Sequence, residues 1–149
     1  MKIKVNESKQ FEEIEVEINC LIKDKKVVEI INTLQLLDKS IVVKKDNENY
    51  ILTPKEIYYF DCVDEKIFCY TKSYTYETSY RLYEIENFFG DDIFMRISKN
   101  MILNIYKIKG FKSQINGRLE ALLLNGERVE VSRKYVKELK YRLGGNKNE

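Results

Sequence analysis

Three polar side chains stand close together around a predicted break between two short strands. Arg96 precedes the break, and Lys99 and Asn100 form it. On a rigid turn, an arginine can donate two hydrogen bonds to O6 and N7 of guanine, an asparagine can pair with adenine, and a lysine can bind a base or a phosphate. These residue types at this spacing suit the reading of base edges in a DNA major groove. For Arg96, a structural role in an ion pair with an acid inside the fold is equally open.

A second basic group begins the last predicted helix. Ser132 is the predicted N-cap of this helix, and Arg133 and Lys134 follow it directly. Backbone N–H groups at the start of a helix also attract phosphate. Lys137 and Lys140 continue the positive charge along the helix, although they could equally form only its solvated face. Basic loop tips at one edge of a β-unit would form a DNA reader that needs no recognition helix.

The composition of the 149 residues argues against an enzyme. The chain has no histidine, which removes imidazole from acid/base catalysis, from nucleophile activation and from metal ligation. It also has no phosphate-binding glycine motif and no Gly-x-Ser-x-Gly nucleophile motif. We therefore expect no catalytic site, cofactor, metal or small-molecule substrate.

The cysteines and the absence of targeting signals indicate the compartment. The chain has an odd number of cysteines and no Cys-x-x-Cys pair; the three are Cys20, Cys62 and Cys69. We therefore expect them to be small buried hydrophobic residues in a reducing environment. The N-terminus has no apolar signal region, and no apolar run approaches the ~20 residues that span a bilayer. The sequence therefore predicts a soluble cytoplasmic protein.

The formal net charge of +2 conceals an asymmetry along the chain. Residues 1–92 carry a net charge of −6, whereas residues 93–149 carry +8. Such a difference favours an electrostatically specialised surface, for which nucleic acid is the usual partner. An ordinary lysine-rich surface is the equal alternative on charge alone.

The N-terminal elements predict a small β-α-β-β appendage. Residues 11–18 alternate apolar and acidic side chains, which is the period of a half-buried strand. An apolar stripe at helical spacing predicts a helix over residues 24–38, with Asp24 as its cap. Two strands follow at residues 40–45 and 50–53.

From Pro54 onward, short strands at close spacing predict a mainly β fold, α+β overall, of many antiparallel strands with short helices. Asn125-Gly126 is the strongest hairpin signal of the chain. The predicted strands cover residues 57–62, 66–71, 74–78, 94–98, 101–103, 107–112, 118–124 and 127–131, and the predicted helices cover residues 81–89 and 132–143.

Several of these segments, taken in order, resemble the LytTR DNA-binding domain of bacterial response regulators. The similar stretches are IYYFDC at residues 57–62, RLYEIE at 81–86, FMRISKNMILN at 94–104, IKG at 108–110, NGR at 116–118 and NGERVEVSRKY at 125–135. The resemblance covers residues 50–143 and divides the chain into an appendage of residues 1–49, a LytTR-like domain of residues 50–143 and a frayed tail of residues 144–149. It implies a multi-stranded LytTR-like fold of ten strands whose loops enter successive major grooves.

The resemblance also implies which regions face DNA, namely the turn at residues 63–66, the break at residues 96–100 and the helix start at residues 132–134. In direct readout we expect Arg133, Lys99 and Asn100, with Arg96, Lys134 and Lys137 nearer phosphates and Lys66 at the first turn. Ser98 stands where the family often has histidine, and Asn100 where it often has serine, so the resemblance leaves open which DNA sequence is read.

Members of this family frequently bind repeated half-sites as dimers beneath a phosphorylated receiver domain. Only about fifty residues precede the LytTR-like part here, fewer than the ~120 of a receiver. The resemblance thus implies a stand-alone regulator of transcription, a homodimer on double-stranded DNA, under the control of a partner that can be a membrane protein. The alternatives are a protein-interaction module that does not contact DNA and, third, an RNA-binding protein that uses its tyrosines.

Overall fold

Antiparallel strands dominate residues 1–144, the part of the chain that the computed structural model describes. Three α-helices accompany the strands, and short 3-10 turns precede two of the strands. The helices are α1 (Lys25–Leu36), α2 (Leu82–Phe89) and α3 (Arg133–Arg142). The strands are β1 (Ile41–Lys45), β2 (Glu48–Leu52), β3 (Ile57–Val63), β4 (Lys66–Thr71), β5 (Thr75–Thr78), β6 (Phe94–Ser98), β7 (Met101–Asn104), β8 (Ile108–Ser113), β9 (Leu119–Leu123) and β10 (Arg128–Val131).

These strands form two sheets. The larger sheet has seven strands in the order β2-β1-β5-β4-β3-β7-β6, and the smaller has three in the order β10-β9-β8. Every pairing in both sheets is antiparallel. The prediction of a mainly β fold with many antiparallel strands and short helices is therefore confirmed.

Two hydrophobic clusters cover opposite faces of the large sheet. Ile85 of α2 packs in one cluster with Phe60 of β3. Leu139 of α3 packs in the other with Tyr59 of β3 and with residues of the small sheet. Because both faces of β3 are covered, residues 57–60 are all buried, which explains why an apolar run replaces strict alternation in this strand.

Helix α1 begins where its cap was predicted. The Asp24 side chain accepts a hydrogen bond from the backbone N–H of Val27 at 3.0 Å. Leu36, at the other end, is buried in the same cluster as Phe60. The helix therefore fastens the chain before β1 to the large sheet.

The strand predicted over residues 11–18 is wrong, because the structure forms no strand before β1. Ile14, which the alternation assigned to a buried face, has 94 % of its surface exposed. Alternation produces a half-buried strand only where a sheet edge accepts its backbone groups, and no edge does so here. The appendage is α-β-β, and its β1 pairs with both β2 and β5 inside the large sheet. The domain boundary at residue 50 stays a prediction, and residues 145–149 of the predicted frayed tail lie outside the described part.

The three cysteines occupy different environments. Cys69 is buried, and burial raises the pKa of its thiol to about 12. Cys62 is half-buried, but Cys20 is exposed, so the expectation of burial is wrong for Cys20. Cys20 lies in the segment before α1, most of whose residues are exposed. No helix within residues 1–144 is both long and apolar enough to cross a membrane.

Candidate nucleic-acid interface

Two hairpin turns lie side by side at one end of the large sheet. Asp61 of β3 is paired with Met101 of β7, so β3 ends where β7 begins. The backbone N–H of Cys62 donates to the carbonyl oxygen of Asn100 at 2.8 Å. The β3–β4 turn at residues 63–66 is thereby adjacent to the β6–β7 turn, which contains Lys99 and Asn100.

The start of α3 joins the same end of the sheet. The backbone N–H of Ser132 donates to the carbonyl oxygen of Ile97 at 2.8 Å, next to the last residue of β6. Arg133 and Lys134 follow as the first residues of the helix, and both are exposed. The structure thus brings together all three segments that the sequence analysis singled out.

The first turn of α3 leaves two backbone donors, those of Arg133 and Lys134, without an acceptor inside the helix. Ser132 is the N-cap residue, as predicted, but its side chain accepts no hydrogen bond from the helix. The backbone N–H of Tyr135 donates to the carbonyl oxygen of Ser132 at 2.9 Å. Those of Arg133 and Lys134 have no acceptor within the helix and lie at the positive end of its dipole. A phosphate oxygen could accept these hydrogen bonds.

Arg96 is half-buried and lies next to the β6–β7 turn. Its Nη1 donates to the carbonyl oxygen of Lys99 at 2.6 Å, and its Nη2 pairs with the carboxylate of Glu86 on α2. The guanidinium therefore connects the turn to α2. These contacts agree with the structural alternative for Arg96, and a phosphate contact by this residue stays a prediction.

Lys99 and Asn100 occupy the tip of the turn that Arg96 supports. Both residues are exposed, and the backbone N–H of Asn100 lies 3.4 Å from the hydroxyl of Ser98. The backbone of the tip is thus bonded to β3 and to Arg96, whereas the side chains of Lys99 and Asn100 point away from the core. A rigid backbone with exposed polar side chains is the arrangement that base readout needs.

Lys66 stands in a less favourable electrostatic setting. It follows a two-residue turn in which Asp64 and Glu65 adopt φ values of +52° and +66°. All three residues are exposed, so two carboxylates lie next to the one ammonium group. The positive potential at this tip is therefore weaker than at the other two.

The remaining predicted lysine, Lys137, is exposed on α3 three residues after Lys134, a spacing that puts both on one face of the helix. Lys140 donates instead to the hydroxyl of Ser113 on β8 at 3.2 Å. Within residues 1–144, Lys66, Lys99, Arg133, Lys134 and Lys137 form no ion pair with a carboxylate.

Tyr59 and Tyr70 are used for packing on the face of the large sheet that α3 covers. Their rings stack with centroids 4.3 Å apart, and the Tyr59 hydroxyl donates to Glu127 at 2.6 Å. Burial and this hydrogen bond raise the pKa of Tyr59. Burial also raises the pKa of the Asp61 carboxyl, against the opposing effect of the Cys62 backbone N–H. Rings held in this way do not offer a stacking platform to bases.

Sequence reasoning missed Glu86 as a supporting residue. The available signal was the position of Arg96 in β6, on the face that also carries Phe94 and packs against α2. A charged residue on that face needs an acidic partner on the helix, and Glu86 is the carboxylate that α2 places there. The backbone bonds from Cys62 and Ser132 have no sequence signal, because they depend on how distant strands pair.

Comparison with known proteins gives the same family for most of the chain. The family model described as LytTr DNA-binding domain matches residues 47–144. Sensory transduction protein LytT of Enterococcus faecalis is 29 % identical over 106 residues, which are 71 % of this chain and 44 % of that protein. The chain thus spans less than half the length of that relative. A Staphylococcus aureus protein (strain NCTC 8325) named as an HTH-type transcriptional regulator is 29 % identical over 143 residues, 95 % of this chain and 94 % of that protein.

The fold of the chain also matches that of a solved member of this family. The solved LytTr DNA-binding domain of a Bacillus cereus protein superposes with a TM-score of 0.67 and 24 % identity, covering 72 % of this chain and 98 % of that domain. This family is a DNA-binding domain and not a class of enzymes. Because the family model covers about two-thirds of the chain, and the structure has the matching fold, the protein belongs to the LytTr DNA-binding domain family.

Proposed function

We propose that this protein is a sequence-specific regulator of transcription that reads major grooves of double-stranded DNA through its loops. The observation that supports this most is the meeting of three exposed segments at one end of the large sheet, joined by the Cys62–Asn100 and Ser132–Ile97 backbone bonds. In this proposal Arg133, which follows Ser132 at the start of α3, reads bases.

In this proposal, the position of each of the other side chains decides whether it contacts bases, contacts phosphates or supports a turn. Lys99 and Asn100 project from a turn whose backbone is bonded at both sides, so they suit base contacts. Lys134 and Lys137 lie along α3 and suit phosphate contacts, which add affinity without sequence preference. Arg96 positions the turn instead of contacting DNA.

The test is Arg133→Ala, measured on a duplex selected from a random pool and on a scrambled duplex at the same salt concentration. We expect a loss of ~1–3 kcal/mol on the selected duplex, and a much smaller loss on the scrambled one. The matched control is Arg118→Ala, which removes the same charge from an arginine already paired with Glu130 at 3.0 Å. Equal losses on both duplexes would make Arg133 a phosphate contact and contradict its base-reading role. A wild-type protein that shows no salt-dependent retention on immobilised DNA would support the protein-interaction alternative.

We also propose that two copies bind repeated half-sites. The family resemblance supports this proposal. Exposed apolar side chains outside the interface also support it, among them Ile14, which precedes α1, and Ile51 on the edge strand β2. Sedimentation with duplexes that carry one or two half-sites measures the stoichiometry. One copy on the two-site duplex at saturation would contradict the dimer. Control by a membrane-protein partner and location in the cytoplasm stay predictions.

A further inference from the structure

The aliphatic part of Arg133 lies against the turn between β8 and β9. A Cβ atom built on Gly117, in that turn, would be 3.0 Å from Cδ and 3.2 Å from Cγ of Arg133. Carbon atoms in favourable contact are about 3.5–4.0 Å apart. The arginine stem therefore occupies the space that any side chain at position 117 would need.

The turn that carries Gly117 is closed by backbone hydrogen bonds and lies next to α3. The backbone N–H of Gly117 donates to Gln114 at 3.3 Å, and that of Gln114 donates to Arg118 at 2.8 Å. Lys140, two turns further along α3 than Arg133, bonds to Ser113 at the start of the same connection. The turn is therefore closed by its own backbone bonds, and the connection contacts α3 at two levels, at Arg133 and at Lys140.

We propose that Gly117 is a positioning residue for Arg133, and that this contact orients the guanidinium toward the DNA. The inference rests on the proposed function and deepens it, because it names a specificity determinant outside the three DNA-facing segments. A long side chain that is held before binding loses less conformational freedom when it forms its base contacts. Displacement of the stem should therefore weaken recognition of sequence more than attraction to the DNA backbone.

The test compares Gly117→Ala with Gly126→Ala. Both glycines are exposed and have positive φ, +75° and +89°, so an added Cβ strains the backbone at both sites. Only Gly117 contacts Arg133, since nothing lies within 4 Å of a Cβ at Gly126. We expect Gly117→Ala to lower affinity for the selected duplex about tenfold, within the range that one bidentate base contact supplies, with little change on the scrambled duplex. Gly126→Ala should leave the ratio of the two affinities unchanged.

Arg133→Ala separates failure of this inference from failure of the proposed function. If Arg133→Ala leaves affinity for the selected duplex unchanged, the base-reading role of Arg133 is wrong, and the role of Gly117 falls with it. If Arg133→Ala weakens specific binding but Gly117→Ala behaves like Gly126→Ala, only the positioning role is overturned. When combined with Arg133→Ala, Gly117→Ala should cause no further loss beyond that of Gly126→Ala.

Selection of bases from a random duplex pool gives a second readout. We expect Gly117→Ala to lose its base preference at the same positions of the duplex as Arg133→Ala. Gly126→Ala should keep the wild-type preference at those positions. If thermal unfolding shows that Gly117→Ala does not fold, the pair Gly117→Asn and Gly126→Asn replaces it, because asparagine tolerates positive φ better than alanine. A retained base preference in folded Gly117→Asn would overturn the proposal.

Discussion

Replacing Glu86 with alanine distinguishes two roles for Arg96 by the sign of the effect on DNA binding. If Arg96 contacts phosphate, loss of the Glu86 carboxylate frees the guanidinium, so affinity rises and the salt dependence steepens by up to about one unit. If Arg96 supports the β6–β7 turn, loss of Glu86 loosens the guanidinium that bonds to the Lys99 carbonyl oxygen. Specific affinity then falls, although the protein has become more positive.

The size of the effect follows from the partial burial of the pair. The side chain of Arg96 has 22 % of its surface exposed, and that of Glu86 has 35 %. Exposed ion pairs contribute ~0–1 kcal/mol, and hydrogen bonds to charged groups contribute ~1.5–3 kcal/mol. For this half-buried pair we expect Glu86→Ala to lower the free energy of unfolding by about 1.5 kcal/mol, which corresponds to about 3–6 °C in Tm for a chain of this size. Specific DNA affinity should fall roughly threefold to tenfold, because only the order of the turn is lost.

The matched control is Glu138→Ala, another glutamate-to-alanine change inside a helix. Glu138 pairs with Arg142 four residues later and is 54 % exposed, so its loss should cost ~0.2–0.5 kcal/mol. Urea unfolding measures stability, and fluorescence anisotropy on the selected duplex measures affinity over a salt series. Arg96→Lys is the second variant. A lysine keeps the positive charge but cannot bond to the Lys99 carbonyl oxygen and the Glu86 carboxylate with two separate nitrogens. Higher DNA affinity in Glu86→Ala, or wild-type behaviour of Arg96→Lys, would refute the supporting role.

Three further predictions concern affinity and stability. Lys137→Ala should weaken binding to selected and scrambled duplexes alike and lower the salt slope by about one unit; an unchanged slope would remove Lys137 from the interface. Asn104→Ala should lower the free energy of unfolding, measured in urea, by about 3 kcal/mol. The reason is that the buried side-chain amide donates to the carbonyl oxygens of Pro54 and Ile57 at 3.2 and 2.9 Å. A loss below about 1 kcal/mol would show that water replaces these bonds. Burial raises the pKa of Asp61, so the folded state holds this proton to higher pH than the unfolded chain, and stability falls as pH rises through both pKa values. Asp61→Asn should remove part of the decrease in the urea midpoint between about pH 4 and pH 7, and an identical pH profile would contradict this.

Much of the local structure follows from the sequence pattern. Strand β4 has the predicted bounds, and α3 begins after the predicted cap Ser132. These elements follow their local signals because the sheet and core that receive them agree with their hydrophobic periods. Residues 11–18 have an equally clear strand period but no strand, since period alone supplies no partner for the backbone.

The candidate interface was only partly predictable. The exposed residue types at positions 99, 100 and 133 pointed to DNA, and the family resemblance added the three regions. For Arg96 the sequence left two roles open, and it could not show that α2 brings the Glu86 carboxylate to the guanidinium. The contact between Gly117 and Arg133 could not be foreseen either, because only the packing of α3 on the small sheet brings the β8–β9 turn and the start of α3 together.

By itself, the sequence determined most of the element types from residue 25 onward, the absence of imidazole chemistry, the concentration of positive charge after residue 92 and the family. These properties depend on composition and on short-range periodicity, which each segment carries alone. Only the tertiary structure decided which basic groups are exposed and which are occupied. Arg96 and Arg133 are the same residue type near the same end of the sheet, yet one is bonded to a carboxylate and a carbonyl group and the other is exposed. Their difference arises from long-range strand and helix pairing, for which no local pattern is a substitute.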